Sequence, residues 1–92
     1  MFLPFKLGRY VNITSTAAVA PAGAGHLLGF YVNSTAGGTL VLKDGGSSGT
    51  AITGTITPAI GWHFLPLKTN GEMYATIGGT ALNVTFIVLP QA

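Results

Sequence analysis

The longest alternation of apolar and polar residues lies near the end of the chain, in EMYATIGGTALNVTFIVL (72–89). Every second residue from Leu82 to Val88 is a large apolar one, and this period of two is typical of a β-strand rather than a helix. Gly78 and Gly79 separate this run from an earlier alternating run, and paired glycines permit the positive φ angles of a tight hairpin. We therefore predict a two-stranded hairpin here, with the more apolar second strand inside a sheet.

Similar runs occur through the rest of the chain, separated by segments rich in glycine, proline, serine and asparagine. They cover residues 10–20, 26–33, 39–43, 50–57 and 62–68. Gly29 within one run predicts a bulge or a close backbone approach, and Pro66 within another predicts a sheet edge or a bulge. No segment has a helical period. The sequence thus predicts one all-β domain over residues 10–92, an antiparallel β-sandwich or jelly-roll-like fold of about seven strands.

Charged residues are unusually scarce. They make up 7% of the chain, against roughly 25% in an ordinary soluble domain, while hydrophobic residues reach 48%. Such a chain exposes large neutral patches if it stays alone, and patches of this kind usually mark contact surfaces. We therefore expect a subunit that packs against other protein molecules.

The same composition argues against several other classes of protein. The four Lys and Arg residues are scattered, whereas a nucleic-acid surface needs a basic stripe. No apolar run approaches the ~20 residues of a membrane-spanning helix, and Pro4 interrupts the apolar start, which makes a poor signal peptide. Since the chain has no cysteine, neither a disulfide nor a thiolate metal site can form. We expect no nucleic-acid or membrane partner.

The first nine residues combine large apolar side chains with proline and glycine. Two interpretations are open: a terminal segment that folds back onto the core, or an arm that orders only on a neighbouring subunit. We favour the arm, because the predicted sheet is complete without this segment. The candidate partner-binding residues of the arm, residues 1–9, are Phe2, Leu3, Phe5 and Leu7.

The groups that could carry catalysis or bind a metal are few: His26, His63, Asp44, Glu72 and the hydroxyl residues. A serine triad or a carboxylate pair requires such groups to converge, and no motif in the sequence brings them together. Neither histidine has metal-ligand spacing, and no glycine-rich phosphate loop is present. We predict no catalytic residue, no metal, no cofactor and no enzymatic activity.

Three aromatic residues have two possible roles, which differ in whether their side chains are exposed or buried. Tyr31, Trp62 and Tyr74 could form a platform on which a sugar stacks, as in a carbohydrate-binding module. They could equally be core or subunit-contact residues, where aromatic side chains are also enriched. Trp62 shares a face with Phe64, a pairing that favours burial.

Residues 29–89 contain five short motifs, at Gly29–Val32, Gly38–Asp44, Thr57–Trp62, Met73–Thr80 and Val84–Phe86. They read as a Gly-hydrophobic-Tyr-Val strand, Gly-Thr-Leu-x-Leu-x-Asp, Thr-Pro-Ala-x-Gly-Trp, Leu-Tyr-Ala-Thr-x-Gly-Gly-Thr (with Met73 in place of the leucine) and a terminal Val-Thr-Phe strand. In these motifs the chain resembles small β-sandwich structural proteins of tailed bacteriophages. The resemblance spans about two-thirds of the chain and does not include the arm.

This resemblance implies a virion component present in many copies. We expect a capsid decoration or cement protein on the capsid surface, bound to the major capsid protein and to copies of itself, as a homotrimer. The alternatives are a tail, neck or fibre-associated virion protein, or a carbohydrate-binding module displayed on the particle.

Overall fold

The computed structural model describes residues 9–21, 25–79 and 82–89, and these residues form eight β-strands. The strands are β1 (Arg9–Ile13), β2 (Ala17–Ala20), β3 (Gly25–Thr35), β4 (Thr39–Asp44), β5 (Thr50–Ala51), β6 (Gly61–Thr69), β7 (Met73–Gly78) and β8 (Leu82–Leu89). The described ranges contain no helix, and so none that could cross a membrane. Residues 1–8 of the predicted arm lie outside the described residues, while Arg9 is the first residue of β1.

The strands form two four-stranded antiparallel sheets, which we call the first and second sheet. The first sheet has the order β1-β8-β3-β6, and the second has the order β2-β7-β4-β5. β1 pairs with β8, β2 with β7, β3 with β6 and β4 with β5, so the chain is a long hairpin rolled over on itself. This arrangement is the jelly roll. The predicted fold class is confirmed.

Alternating side chains from both sheets fill the space between them. Leu82, Val84, Phe86 and Val88 of β8 all point inward and are at most 2% exposed, as the period of two predicts. The other buried apolar residues are Ile13, Val19, Ala20, Leu27, Phe30, Val32, Leu40, Leu42, Met73 and Ala75. β8 lies between β1 and β3, so its predicted place inside a sheet is confirmed.

The predicted hairpin at Gly78 and Gly79 is wrong. β7 and β8 are consecutive in the chain, but β7 belongs to the second sheet and β8 to the first. Gly79 does adopt a positive φ of 75°. The glycine pair therefore serves a connection between sheets, because β8 has a longer apolar partner in β3 and each strand buries its inner face against the opposite sheet.

Bulges change which residues of β3 face inward. The register of β3 against β8 shifts between Leu27 and Gly29 and again between Val32 and Ser34. As a result Leu27 and Phe30 are buried, whereas a strict alternation had predicted that Leu28 would share a face with Phe30. The bulge prediction at Gly29 is confirmed, and the expected face of Leu28 is wrong.

Two of the predicted strands end differently in the structure. The run at 10–20 is two strands, because a bend at residues 14–16 carries the chain from the first sheet to the second. In the run at 50–57, only Thr50–Ala51 is a strand. Beyond it, the bridge between Leu40 and Ile56 holds the segment against β4. Pro66 lies in β6, an edge strand, as predicted.

Candidate functional site: the outer face of the first sheet

The outer surface of the first sheet carries a group of exposed large apolar side chains. We call Tyr10, Tyr31, Trp62, Phe64 and Ile87 the aromatic face. Tyr10 is 74% exposed, Phe64 66%, and Tyr31 and Trp62 45% each. Ile87 is half-buried between them on the central strand.

The strand register sets these residues in two neighbouring rows. In one row, Tyr10 lies opposite Ile87, Ile87 opposite Gly29, and Gly29 opposite Phe64. In the next row, Thr85 of β8 lies opposite Tyr31, and Tyr31 lies opposite Trp62. Each of the four strands of the first sheet contributes at least one residue to the aromatic face. Since adjacent strands lie about 4.8 Å apart, this face crosses the whole width of the sheet.

Gly29 makes room for the indole of Trp62. A Cβ built on Gly29 would lie 2.9 Å from both Cζ2 and Cη2 of Trp62 and would overlap the carbonyl oxygen of His63. The indole therefore occupies the space where any other residue would place its side chain. The close approach predicted at Gly29 is confirmed, and it fixes the ring against the sheet surface.

Four polar side chains form a hydrogen-bonded group beside the aromatic face. Asn12 Nδ2 donates to Asn83 Oδ1 at 2.7 Å and to Thr85 Oγ1 at 3.0 Å. Asn33 Nδ2 donates to the same two acceptors, at 3.1 and 2.9 Å. This polar quartet joins β1, β8 and β3. It places amide and hydroxyl groups next to Tyr31, because Thr85 and Tyr31 are directly opposite each other.

The sequence-predicted aromatic residues do not form a single platform. Tyr31 and Trp62 are neighbours on the first sheet, but Tyr74 lies in β7 of the second sheet. The burial expected of Trp62 is wrong: it shares a face with Phe64 as predicted, but that face is the outer one. The inner positions of β6 are taken by His63, Leu65 and Leu67, and the His63 ring stacks on Phe30 with a centroid distance of 5.1 Å.

The acidic residues lie at a turn away from the aromatic face. Asp44 accepts hydrogen bonds from the backbone N–H groups of Gly71 at 2.7 Å and Asn70 at 3.2 Å. The carbonyl oxygen of Glu72 accepts the N–H groups of Gly45 and Gly46. Asp44 and Glu72 thus lie at one end of the second sheet. Their hydrogen bonds connect the turn after β4 to the turn before β7.

The remaining candidates from the sequence are the two histidines and the apolar residues of the arm. His63 Nε2 lies 2.8 Å from the carbonyl oxygen of Ala59, and His26 lies in β3, opposite Lys68. Within the described residues no group of three or more His, Asp or Glu side chains could hold a metal, and no pocket is found there. Phe2, Leu3, Phe5 and Leu7 lie outside the described residues.

Sequence reasoning missed Tyr10, Phe64 and Ile87 as members of the exposed face. The signal for Ile87 was present, since it alternates with the inward-facing Phe86 and Val88. For Phe64 the side of the sheet was ambiguous, because apolar residues occupy both faces of β6. Comparison with known proteins adds no assignment: no family model, curated protein or solved structure matches the chain.

Proposed function

We propose that this protein is a non-enzymatic virion structural protein, a capsid decoration or cement protein that binds the major capsid lattice and stabilises it. The observation that carries the proposal is the aromatic face, a broad exposed apolar surface on a chain with very few charges. Protein–protein interfaces are enriched in aromatic residues and depleted of charge at their centre. A face of this kind suits docking onto another protein surface.

The virion context rests on the sequence resemblance, and the jelly-roll fold is compatible with it. Jelly rolls recur in viral capsid proteins. Many copies of a small sandwich could each bury one neutral face on neighbouring capsomers. Weak contacts repeated over a lattice give strong retention. In this proposal the arm residues Phe2, Leu3, Phe5 and Leu7 add a second contact.

The first test is the copy number of the chain in purified particles, measured by quantitative mass spectrometry against the major capsid protein. A near-stoichiometric ratio supports a decoration protein on the capsid surface. A ratio of a few per hundred would instead assign the protein to the tail, neck or fibre. Absence from the particles would contradict the virion proposal.

A second test asks whether the aromatic face makes the contact. Trp62→Ser and Phe64→Ser are compared with Tyr74→Ser, which removes an aromatic ring from the opposite sheet. We expect the first two variants to lose binding to undecorated particles and the third to retain it. Equal retention by all three would contradict docking through this face, and unchanged binding after removal of residues 1–9 would contradict the arm.

A carbohydrate-binding function is the second candidate, favoured by one specific observation. Tyr31 and Trp62 lie side by side with the polar quartet next to them, so flat rings adjoin amide and hydroxyl groups. Sugars stack on aromatic rings and hydrogen-bond to such groups. Titration of Trp62 fluorescence with soluble oligosaccharides tests this candidate, with Trp62→Phe as a control for the signal. No spectral change with any glycan would contradict it.

A further inference from the structure

The first sheet ends at an edge strand whose outer side is free in the described residues. β6 pairs with β3 on one side and is the last strand in the order β1-β8-β3-β6. It is also the longest edge strand, with nine residues, whereas the other edge strands have five, four and two. An exposed edge presents a row of backbone N–H and C=O groups that can pair with another strand.

The backbone direction of β6 identifies which groups point outward. The carbonyl oxygen of His63 lies against Gly29 of β3, so His63 directs its backbone groups toward β3. Successive residues of a strand point their backbone groups to opposite sides. The N–H and C=O groups of Trp62 and Phe64 therefore point away from the sheet, along its free edge.

This free segment lacks the features that usually block edge pairing. Natural edge strands are protected by charges, proline or bulges. In β6, Lys68, Pro66 and the register shift against β3 (between Phe64 and Leu67) all lie beyond Phe64. Gly61, with a φ of 124°, bounds the segment on the other side. The segment from Trp62 to Phe64 therefore contains no proline and no Lys, Arg, Asp or Glu, and its two aromatic rings are exposed.

We propose that two copies of this chain pair through the free edge of β6, antiparallel, with His63 of one copy opposite His63 of the other. Trp62 then lies opposite Phe64 of the second copy, and Phe64 opposite its Trp62. Because the backbone groups of Trp62 and Phe64 point along the free edge, each of these residues forms a hydrogen-bonded pair with its counterpart in the second copy. The two pairs supply four backbone hydrogen bonds. Trp62 and Phe64 also form aromatic pairs across the interface, a favourable cross-strand combination.

A second copy fits this edge because β6 is complementary to itself. In the proposed register each aromatic residue meets the other aromatic type, and the paired residues include no Lys, Arg, Asp or Glu. The two first sheets join into one continuous sheet of eight strands, and the two aromatic faces become adjacent. The proposed dimer is an alternative to the homotrimer expected from the resemblance, and it does not depend on the capsid proposal.

A single-cysteine variant tests the register. The chain has no cysteine, so His63→Cys introduces one thiol per copy. At the proposed non-hydrogen-bonded pair the Cα atoms lie about 4.5 Å apart, within the range of a disulfide. We expect oxidation to give a disulfide-linked dimer as the main product. Ala18→Cys, on the exposed edge strand β2, should stay mainly monomeric. Equal cross-linking of the two variants would overturn the proposal.

A second experiment tests the backbone hydrogen bonds in the reduced, cysteine-free chain. Sedimentation velocity is measured from about 10 µM to about 1 mM for the wild type, Phe64→Pro and Phe64→Thr. Both variants lose the ring, but only proline also removes the outward N–H, twice per dimer. We expect a wild-type dimer, and Phe64→Pro to associate about tenfold or more weakly than Phe64→Thr.

Two outcomes of the sedimentation experiment would overturn the proposal. One is a wild-type chain that stays monomeric throughout or forms trimers. The other is equal association of Phe64→Pro and Phe64→Thr, including the case in which only removal of residues 1–9 abolishes association. Neither outcome bears on capsid binding, which is tested on particles.

Discussion

At Gly29 the absence of a side chain determines how Trp62 lies. The indole fills the space beside the Gly29 Cα, and the carbonyl oxygen of His63 closes that space from the neighbouring strand. A glycine inside a strand costs conformational entropy, so its presence here is explained by the close approach. The exposed ring is held by the sheet, which favours binding because less rotamer freedom is lost.

Gly29→Ala should therefore destabilise the fold. The added Cβ meets backbone on one side and the indole on the other, and overpacking of this kind costs about 1–3 kcal/mol. Gly54→Ala is the matched control, since its Cβ meets nothing within 4 Å. Urea unfolding of both variants checks the prediction. A Gly29→Ala variant as stable as Gly54→Ala would contradict the packing seen around Trp62.

Asp44 connects the end of β4 to the turn that precedes β7. Its carboxylate accepts two backbone N–H groups, from Asn70 and Gly71, and hydrogen bonds to a charged acceptor are stronger than neutral ones. Its role in the described structure is to fix a turn.

Asp44→Ala is expected to lower the free energy of unfolding by about 1–3 kcal/mol, because both backbone donors lose their acceptor. Asp44→Asn keeps one acceptor oxygen and should lose less. Urea unfolding at neutral pH, with both variants in parallel, measures the difference. If the two variants were equally stable, the carboxylate would not be holding the turn.

Among the strands, β8 combines the longest regular alternation with the most central place. It is flanked by β1 and β3, and its inner residues are almost fully buried. The Phe86 ring packs against Phe30 with a centroid distance of 5.7 Å. Of its outer residues, Asn83 and Thr85 belong to the polar quartet and Ile87 belongs to the aromatic face. One strand thus supports both the core and the candidate site.

Phe86→Ala should cost about 3–5 kcal/mol of unfolding free energy, because it removes a fully buried ring and leaves a cavity. The control is Ile87→Ala, on the outer side of the same strand, for which we expect a loss of about 1 kcal/mol. Chemical denaturation followed by circular dichroism compares them. Similar losses for the two variants would mean that the inward and outward sides of β8 are misassigned.

Over the whole molecule, the jelly roll joins segments that are far apart in the chain. β1 pairs with β8 and β2 with β7, so the first and last strands must meet before the first sheet is complete. Closing such long loops costs entropy before any contact stabilises the chain. Folds dominated by non-local pairing fold slowly.

We therefore expect refolding on the order of milliseconds to seconds, as in other all-β domains. Stopped-flow dilution from urea, followed by the fluorescence of the single tryptophan, measures the rate. Phe86→Ala is a useful comparison, since it reports whether the centre of the first sheet forms before the rate-limiting step. Complete recovery of the signal within the dead time of mixing would contradict the expectation.

The sequence by itself determined the strands and most of their inner faces. Alternation indicated the buried sides of β8 and β7, and Pro66 and Gly29 indicated an edge and a close approach. These signals are local, because side chains of a strand alternate and because proline and glycine act on their own backbone.

Only the tertiary structure decided which strands pair and which apolar residues stay exposed. The hairpin at Gly78 and Gly79 was locally plausible, but burial of both inner faces placed β7 and β8 in different sheets. Trp62 was expected inside, but His63, Leu65 and Leu67 take the inner positions of β6, so Trp62 lies on the outer face. Bulges in β3 moved Leu27 inward. Strand pairing depends on residues distant in the chain, so no local pattern could determine it.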